Sequence, residues 1–201
     1  MGITVTALLL SGGMDSVAIA AWKRPQIAFT VDYGQRAAKA EIAASRQVCS
    51  DLQINHEVIQ ADTSALGSGD MSETPALAGA PASDWWPFRN QLLVTLAGIQ
   101  CVTIGVTELM IGSVASDEIH ADGRTEFYEA LNALLAVQEG GLQVNAPALR
   151  MTTVELVKAS GIAPGVLAWA HSCHVGEVAC GQCRGCVKHI EVTRELGGQA
   201  Y

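Results

Sequence analysis

Apolar runs alternate with helix-like stretches over the first third of the chain. Residues 5 to 10 are almost continuously apolar, as expected of a strand buried on both faces, and residues 14 to 22 continue as a helix. "QIAFTVDYG" at 26 to 34 reads as a second strand ending in a turn. "RAAKAEIAASRQVCSDL" at 36 to 52 has the length and alanine content of a helix, and "HEVIQAD" at 56 to 62 the β-branched pattern of a third strand. Strand, helix, strand, helix, strand predicts a parallel sheet with covering helices.

The pattern then breaks. Residues 63 to 90, rich in Gly, Ser, Ala and Pro, have little periodicity, and a loop of that length in a compact domain is usually functional or disordered. Alternation resumes with a helix from about 91 to 104, a strand "ELMIGSVAS" at 108 to 116 and a helix at roughly 124 to 138. "LQVNAPALRM", a helix over "TTVELVKASG" and a cysteine-rich end complete the chain, without an internal repeat. The apolar stretch 92 to 112 raises the question of a membrane span, but Gln100, several Thr and Glu108 interrupt it, favouring a buried helix followed by a buried strand.

A chain of 201 residues fits one compact α/β domain with a small appendage, expected as residues 1–165 and a C-terminal segment 166–201 packed on it. The net charge of −8 argues against a protein that coats nucleic acid, yet allows a local cationic pocket for a small anion. "MGITVTALLL" lacks a secretory signal's cationic flank and cleavage site, so a cytoplasmic location is expected. Six cysteines are then expected to stay reduced, and four crowd into residues 173 to 186, favouring metal over disulfides.

Leu10, Ser11, Gly12, Gly13, Met14, Asp15 and Ser16 follow the first apolar run. At the carboxyl end of a parallel strand, two glycines let backbone approach a phosphate, Ser11 and Ser16 add hydroxyls, and Asp15 can hold Mg²⁺ or cap the helix. The alternative is a simple turn and cap. The pattern S-G-G-x-D-S resembles the signature of the PP-loop ATP pyrophosphatases, which cleave ATP between the α- and β-phosphates and transfer AMP to a substrate oxygen. The chemistry implied is adenylation.

Cys173, Cys180, Cys183 and Cys186 are spaced C-x6-C-x2-C-x2-C. Four thiolates would fill the tetrahedral shell of one structural Zn²⁺ per chain and leave no open position for water; glycines at 181 and 185 let the knuckle turn tightly. A redox C-x-x-C pair and an iron–sulfur cluster are the alternatives. His171, His174 and His189 flank the cluster and could replace one thiolate, while Cys49 and Cys101 fall in predicted helices as core thiols.

With "VDYGQR" at 31 to 36, "FRNQ" at 88 to 91, "GSVASDEIHADGRTEF" at 112 to 127 and "CGQCRGC" added to the phosphate loop, nearly the whole chain resembles the 7-cyano-7-deazaguanine synthase family. The resemblance implies a Rossmann-like domain of the adenine nucleotide alpha hydrolase type, with helices on both faces, a C-terminal zinc knuckle and a homodimeric state. It also implies a C–N ligase of queuosine biosynthesis that activates 7-carboxy-7-deazaguanine with MgATP, takes ammonia to an amide, and activates the amide again to leave the nitrile, preQ0. Carried over by position, Leu10 to Ser16 with Tyr33 and Gln35 would bind ATP, and Asp15, Ser16, Arg36 and Arg89 would be catalytic. Arg89 and Asn90 would meet the substrate carboxylate or the α-phosphate. Asp117, Asp122, Arg124 and Phe127 would receive the purine-like base; surface charge and one core phenylalanine is the alternative.

The chain also departs from the family. Ala37 stands where a His usually follows Y-G-Q-R, and Thr153 where a Lys is common, with Lys158 a turn and a half later. "DWWPFRNQ" replaces the usual Val-Pro-Gly before Arg-Asn, and the base segment and first cysteine gap are shorter. Trp85 and Trp86 could stack on a purine or a partner chain, or wedge the loop against the core. These departures raise a rival reading, a divergent member that joins the activated carboxyl to another amine such as a protein N-terminus, in defence or modification. More distant rivals are another PP-loop enzyme, tRNA-modifying or amidotransferase-type, and a zinc-knuckle module that holds nucleotide without turnover. Small-molecule substrates, and neither nucleic acid nor membrane, are the expected partners.

Overall fold

A computed structural model describes residues 5–198. Strands β1 (Thr6–Leu9), β2 (Ile27–Asp32), β3 (Asn55–Gln60), β4 (Glu108–Met110) and β5 (Gln143–Asn145) form one sheet in the order β3-β2-β1-β4-β5, every pairing parallel. The pleat sends Leu8 and Leu10 to one face and Ala7 and Leu9 to the other, and all four are buried. This two-sided burial explains why β1 reads as an unbroken apolar run.

On the first face, α1 (Met14–Lys23), α2 (Ala38–Leu52) and α5 (Thr153–Ser160) bury Val17, Ile19, Val48, Leu52 and Leu156. On the second, α3 (Arg89–Ile104) and α4 (Thr125–Ala136) bury Val94, Cys101, Tyr128 and Leu131 against Phe29 and Leu109. The helix α5 begins where its sequence says it should. Thr152 caps the N–H of Glu155 at 3.2 Å while the Glu155 carboxylate accepts from the Thr152 N–H at 2.8 Å. Cys49 and Cys101 lie in the two cores, where burial pushes their thiols up to about 11 and about 12. The apolar stretch 92 to 112 divides into α3 and β4, and among the described residues no helix is long and apolar enough to cross a membrane.

Two elements differ from expectation. The strand expected at 108 to 116 stops at Met110, because Gly112 passes so close to α1 that a Cβ there would meet Ser16 backbone at 3.2 Å. The chain therefore leaves the sheet over the turn that starts α1, ties Ser113 to the Tyr128 hydroxyl at 2.6 Å, and enters 3₁₀ turns at Ala115–Ile119 and Ala121–Gly123. The cysteine-rich end carries helical structure that periodicity did not reveal: α6 (Pro164–Leu167) and α7 (Arg184–Glu195). Residues 63 to 88 do form a long irregular connection, with only the short turns Ser64–Leu66 and Gly69–Met71.

Candidate active site

The strand order reverses at β1: β2 and β3 extend the sheet to one side, β4 and β5 to the other. Parallel sheets open a crevice at such a point, beyond the strands' carboxyl ends. A cavity of about 470 Å³ lies there, within the range of roughly 300–1,000 Å³ for small-ligand sites. The loop Leu10 to Ser16 forms its near wall. Thr30 and Ser45 hydroxyls donate to the Leu10 carbonyl at 2.7 and 3.2 Å, fixing the strand end. Gly12 adopts φ +76°, and a Cβ there would meet the Glu41 carbonyl at 2.8 Å, so only glycine fits. Gly13 caps α1 with its backbone alone, leaving helix N–H groups facing the cavity. Ser11 and Ser16 hydroxyls are 3.2 Å apart, and Ser16 donates to the Gly13 carbonyl at 3.0 Å.

The other residues singled out from the sequence divide into two groups. Tyr33, Arg89, Asn90, Asp117 and Asp122 line the same cavity as Leu10, Ser11, Gly13, Met14, Asp15 and Ser16. Asn90 is locked to the segment 112–127, its side chain donating to the Asp122 carbonyl at 3.0 Å and its N–H to the Asp122 carboxylate at 3.3 Å. Arg89 turns toward Met71 Sδ at 2.7 Å, beside the buried Tyr33 hydroxyl. Gln35 stands behind the wall: it accepts from the Tyr33 N–H at 2.9 Å and donates to Val31 O at 3.0 Å and Glu41 Oε2 at 2.8 Å. Burial raises the Glu41 carboxyl to about 7 against that hydrogen bond. Arg36 and Arg124 are exposed; Arg124 Nε donates to the Glu118 carbonyl at 2.8 Å. Phe127 packs edge-on to Tyr128 in the second core. Trp86 is buried edge-on against Tyr33, centroids 4.9 Å apart, wedging the long loop onto the sheet, and Trp85 is half-buried.

The four cysteines converge, their Sγ atoms all within 4.8 Å of one another and Cys180 to Cys186 at 3.9 Å. Thiolates at about 2.3 Å from a tetrahedral Zn²⁺ stand about 3.8 Å apart, so the set fits one ion. Backbone N–H groups of Gln182 and Cys183 lower the Cys180 thiol to about 6, whereas burial raises the thiols of Cys183 and Cys186. His189 bonds Ser172 at 3.0 Å and His171 the Gly176 carbonyl at 3.0 Å, so both rings are engaged outside the thiol set. Bound there, the ion would close the knuckle without open coordination. Gly185 allows the closure, because a Cβ would overlap the Ser172 carbonyl.

The knuckle reaches the cavity at two points. Asp84, from the long loop, is buried and gathers Arg184 Nη1 at 3.0 Å, His120 Nε2 at 3.5 Å and His174 Nδ1 at 3.4 Å. Burial alone would raise its carboxyl, but the contacts with His120, His174 and Arg184 hold it well below the usual range. The second point is Lys188, whose Nζ lies 2.9 Å from Asp15 Oδ2 and 3.6 Å from Asp117 Oδ1. Thr153 donates to the other Asp15 oxygen at 2.7 Å. Burial works against the Lys188 charge, yet Asp15 and Asp117 more than compensate and keep it an ammonium.

The family model described as "Queuosine biosynthesis protein QueC" matches residues 5–196. The chain belongs to the QueC family. Among similar curated relatives of the family, the 7-cyano-7-deazaguanine synthase of Methanosarcina barkeri is 30% identical over 94% of this chain and 93% of its own length. That of Psychromonas ingrahamii is 32% identical over 92% of this chain and 90% of its own. Against the motifs that mark a QueC chain in sequence, the structure adds Glu41, Asp84, His120, Arg184 and Lys188 to the cavity wall. Arg184 and His120 sit inside sequence motifs, the cysteine cluster and residues 112–127, and Asp84 opens "DWWPFRNQ"; Glu41 and Lys188 lie outside these motifs.

Proposed function

We propose that the chain is an ATP-dependent, AMP-forming ligase that activates the carboxylate of 7-carboxy-7-deazaguanine and converts it with ammonia to the amide and then the nitrile. The observation that carries this reading is one cavity with a phosphate-type loop on one wall and Arg89, Asn90 and Asp122 on the other. The QueC match and the names of the relatives support the substrate class.

In this reading helix N–H groups and the Ser11 and Ser16 hydroxyls hold the β- and γ-phosphates. A carboxylate oxygen attacks the α-phosphorus, its O–P bond forming as the bond to pyrophosphate breaks. Arg89, freed from Met71, balances the developing charge on the α-phosphate. Ammonia then attacks the acyl carbon, and the C–O bond to AMP breaks as the nitrogen gives up a proton. The second activation places AMP on the amide oxygen, and loss of AMP and the nitrogen's protons leaves the nitrile. Mg²⁺ bound with ATP would neutralise pyrophosphate charge. Asn90, tied to Asp122, would set the distance from the base to the reacting carboxylate.

A second reading, a divergent ligase that stops after one activation and passes the acyl group to another amine, draws on two positions. Ala37 is buried at 1% exposure, and Thr153 spends its hydroxyl on Asp15, so neither site of departure offers an ionisable group. Incubation with ATP, Mg²⁺ and 7-carboxy-7-deazaguanine, with and without ammonium, followed by mass analysis, separates the two. AMP with nitrile is expected; AMP with only acyl-adenylate or amide supports the divergent ligase. ADP, or no acid-dependent turnover, overturns the adenylation reading altogether.

A further inference from the structure

We propose that Lys188, delivered by the helix that grows out of the cysteine knuckle, is the cation that meets the β- and γ-phosphates at the loop Leu10 to Ser16 in this chain. The inference rests on the ATP reading above. The loop Leu10 to Ser16 contains no lysine or arginine, so its charge complement must come from elsewhere. Arg89, Arg184 and Lys188 are the lysine and arginine residues on the cavity wall. Arg184 Nη1 is committed to Asp84 and to His120 Nε2 at 3.0 Å, and Arg89 points away toward Met71 and Tyr33. Lys188 alone of the three touches the loop, through Asp15 at 2.9 Å.

The geometry around Asp15 favours an exchange. Thr153 holds Oδ1 at 2.7 Å, which turns Oδ2 toward the ammonium. A phosphate oxygen entering at the start of α1 would lie between backbone N–H groups and Nζ. Swapping one carboxylate contact for it keeps the number of charge-assisted bonds to the lysine constant. The ammonium is a three-donor point charge on a flexible stem, able to follow phosphate while keeping Asp117 in reach. Lys188 lies two residues beyond Cys186, and Cys183 caps α7 by accepting from the Cys186 N–H at 3.5 Å. The thiol set therefore fixes the helix turn that aims the lysine, so the knuckle serves the phosphate site as well as the fold.

The test measures MgATP and Mg-pyrophosphate affinity by calorimetry for the full chain and for Lys188→Met, Lys188→Gln and Lys188→Arg, with metal content and circular dichroism of each. Loss of one charged hydrogen bond predicts about 10- to 100-fold weaker binding in the Met and Gln variants, with bound metal unchanged, and recovery to within a few-fold in Lys188→Arg. Lys188→Gln, which can still bond Asp15, keeps the comparison available if the Met variant fails to fold. Lys158→Met, on the exposed side of α5, is expected to bind as the wild type does. Wild-type affinity in a folded Lys188→Gln overturns the inference and leaves the ligase reading standing. A Lys188-dependent affinity in a protein that makes no AMP from the acid supports the inference and sinks the ligase reading. An equal loss in Lys158→Met overturns it as a general charge effect.

Discussion

The two walls of the cleft are built on different scales. The wall formed by Leu10 to Ser16 is seven consecutive residues held by backbone geometry and by hydroxyls from β2 and α2. The opposite wall takes Asp84, Asn90, Asp122, Arg184 and Lys188 from four separate segments and holds them mostly through charge and the cysteine knuckle. A wall made of backbone is insensitive to its neighbours, whereas a wall made of paired charges depends on every partner, since each unpaired buried ion is costly. The near wall should therefore outlive damage that dissolves the far one.

The largest expected effect comes from the metal. Structural zinc carries roughly 10–16 kcal/mol of apparent binding free energy in small domains. Chelation, or Cys183→Ser, is expected to open residues 171–189 to proteolysis while the circular dichroism of the parallel sheet persists. Simultaneous loss of both would break the distinction between the walls. Next is Asp84→Ala, which takes the shared carboxylate from Arg184, His120 and His174 and should cost about 2 to 4 kcal/mol in urea unfolding, less than a fully buried pair because Arg184 stays 37% exposed. Hydrogen exchange should quicken around residues 171–189 and stay slow in β1 and β2.

Gly12→Ala attacks the near wall instead. A non-glycine residue at φ +76° that also displaces the Glu41 carbonyl should cost about 2 to 3 kcal/mol and weaken MgATP binding without loss of zinc. The smallest effect tests the joint behind that wall. Glu41 titrates at about 7 in the folded chain against an ordinary 4.5, so the stability of its neutral form is complete below 4.5 and lost as pH rises through 7. Glu41→Gln should therefore match the wild type near pH 5 and exceed it by about 1 to 2 kcal/mol near pH 8.5 in paired denaturation curves. A constant difference across pH would show that Glu41 titrates normally.

Legibility in the sequence follows the same division. The α/β alternation, the tight Ser-Gly-Gly turn and the cysteine set could be read because each depends on residues close together in the chain. Ser11 to Ser16 shape one turn, and C-x-x-C places two sulfurs on one ion by itself. The strand expected to 116 ended at Met110 because Gly112 meets Ser16 from a distant helix, a contact no local apolar run encodes. The α7 helix is hidden in the sequence because its first turn carries cysteine and glycine, residues that mark a metal-binding turn rather than a helix.

What the sequence by itself determined was therefore the sheet, the tight turn after its first strand, the clustered cysteines and, through ordered motifs, the QueC family. Only the tertiary structure decided which charges face that turn. Asp15 meets Thr153 across 138 positions and Lys188 across 173, while Asp84 meets Arg184 across 100. Such pairs are selected by where packed helices bring their side chains, and a lone Lys or Asp in sequence carries no mark of the partner that folding will supply.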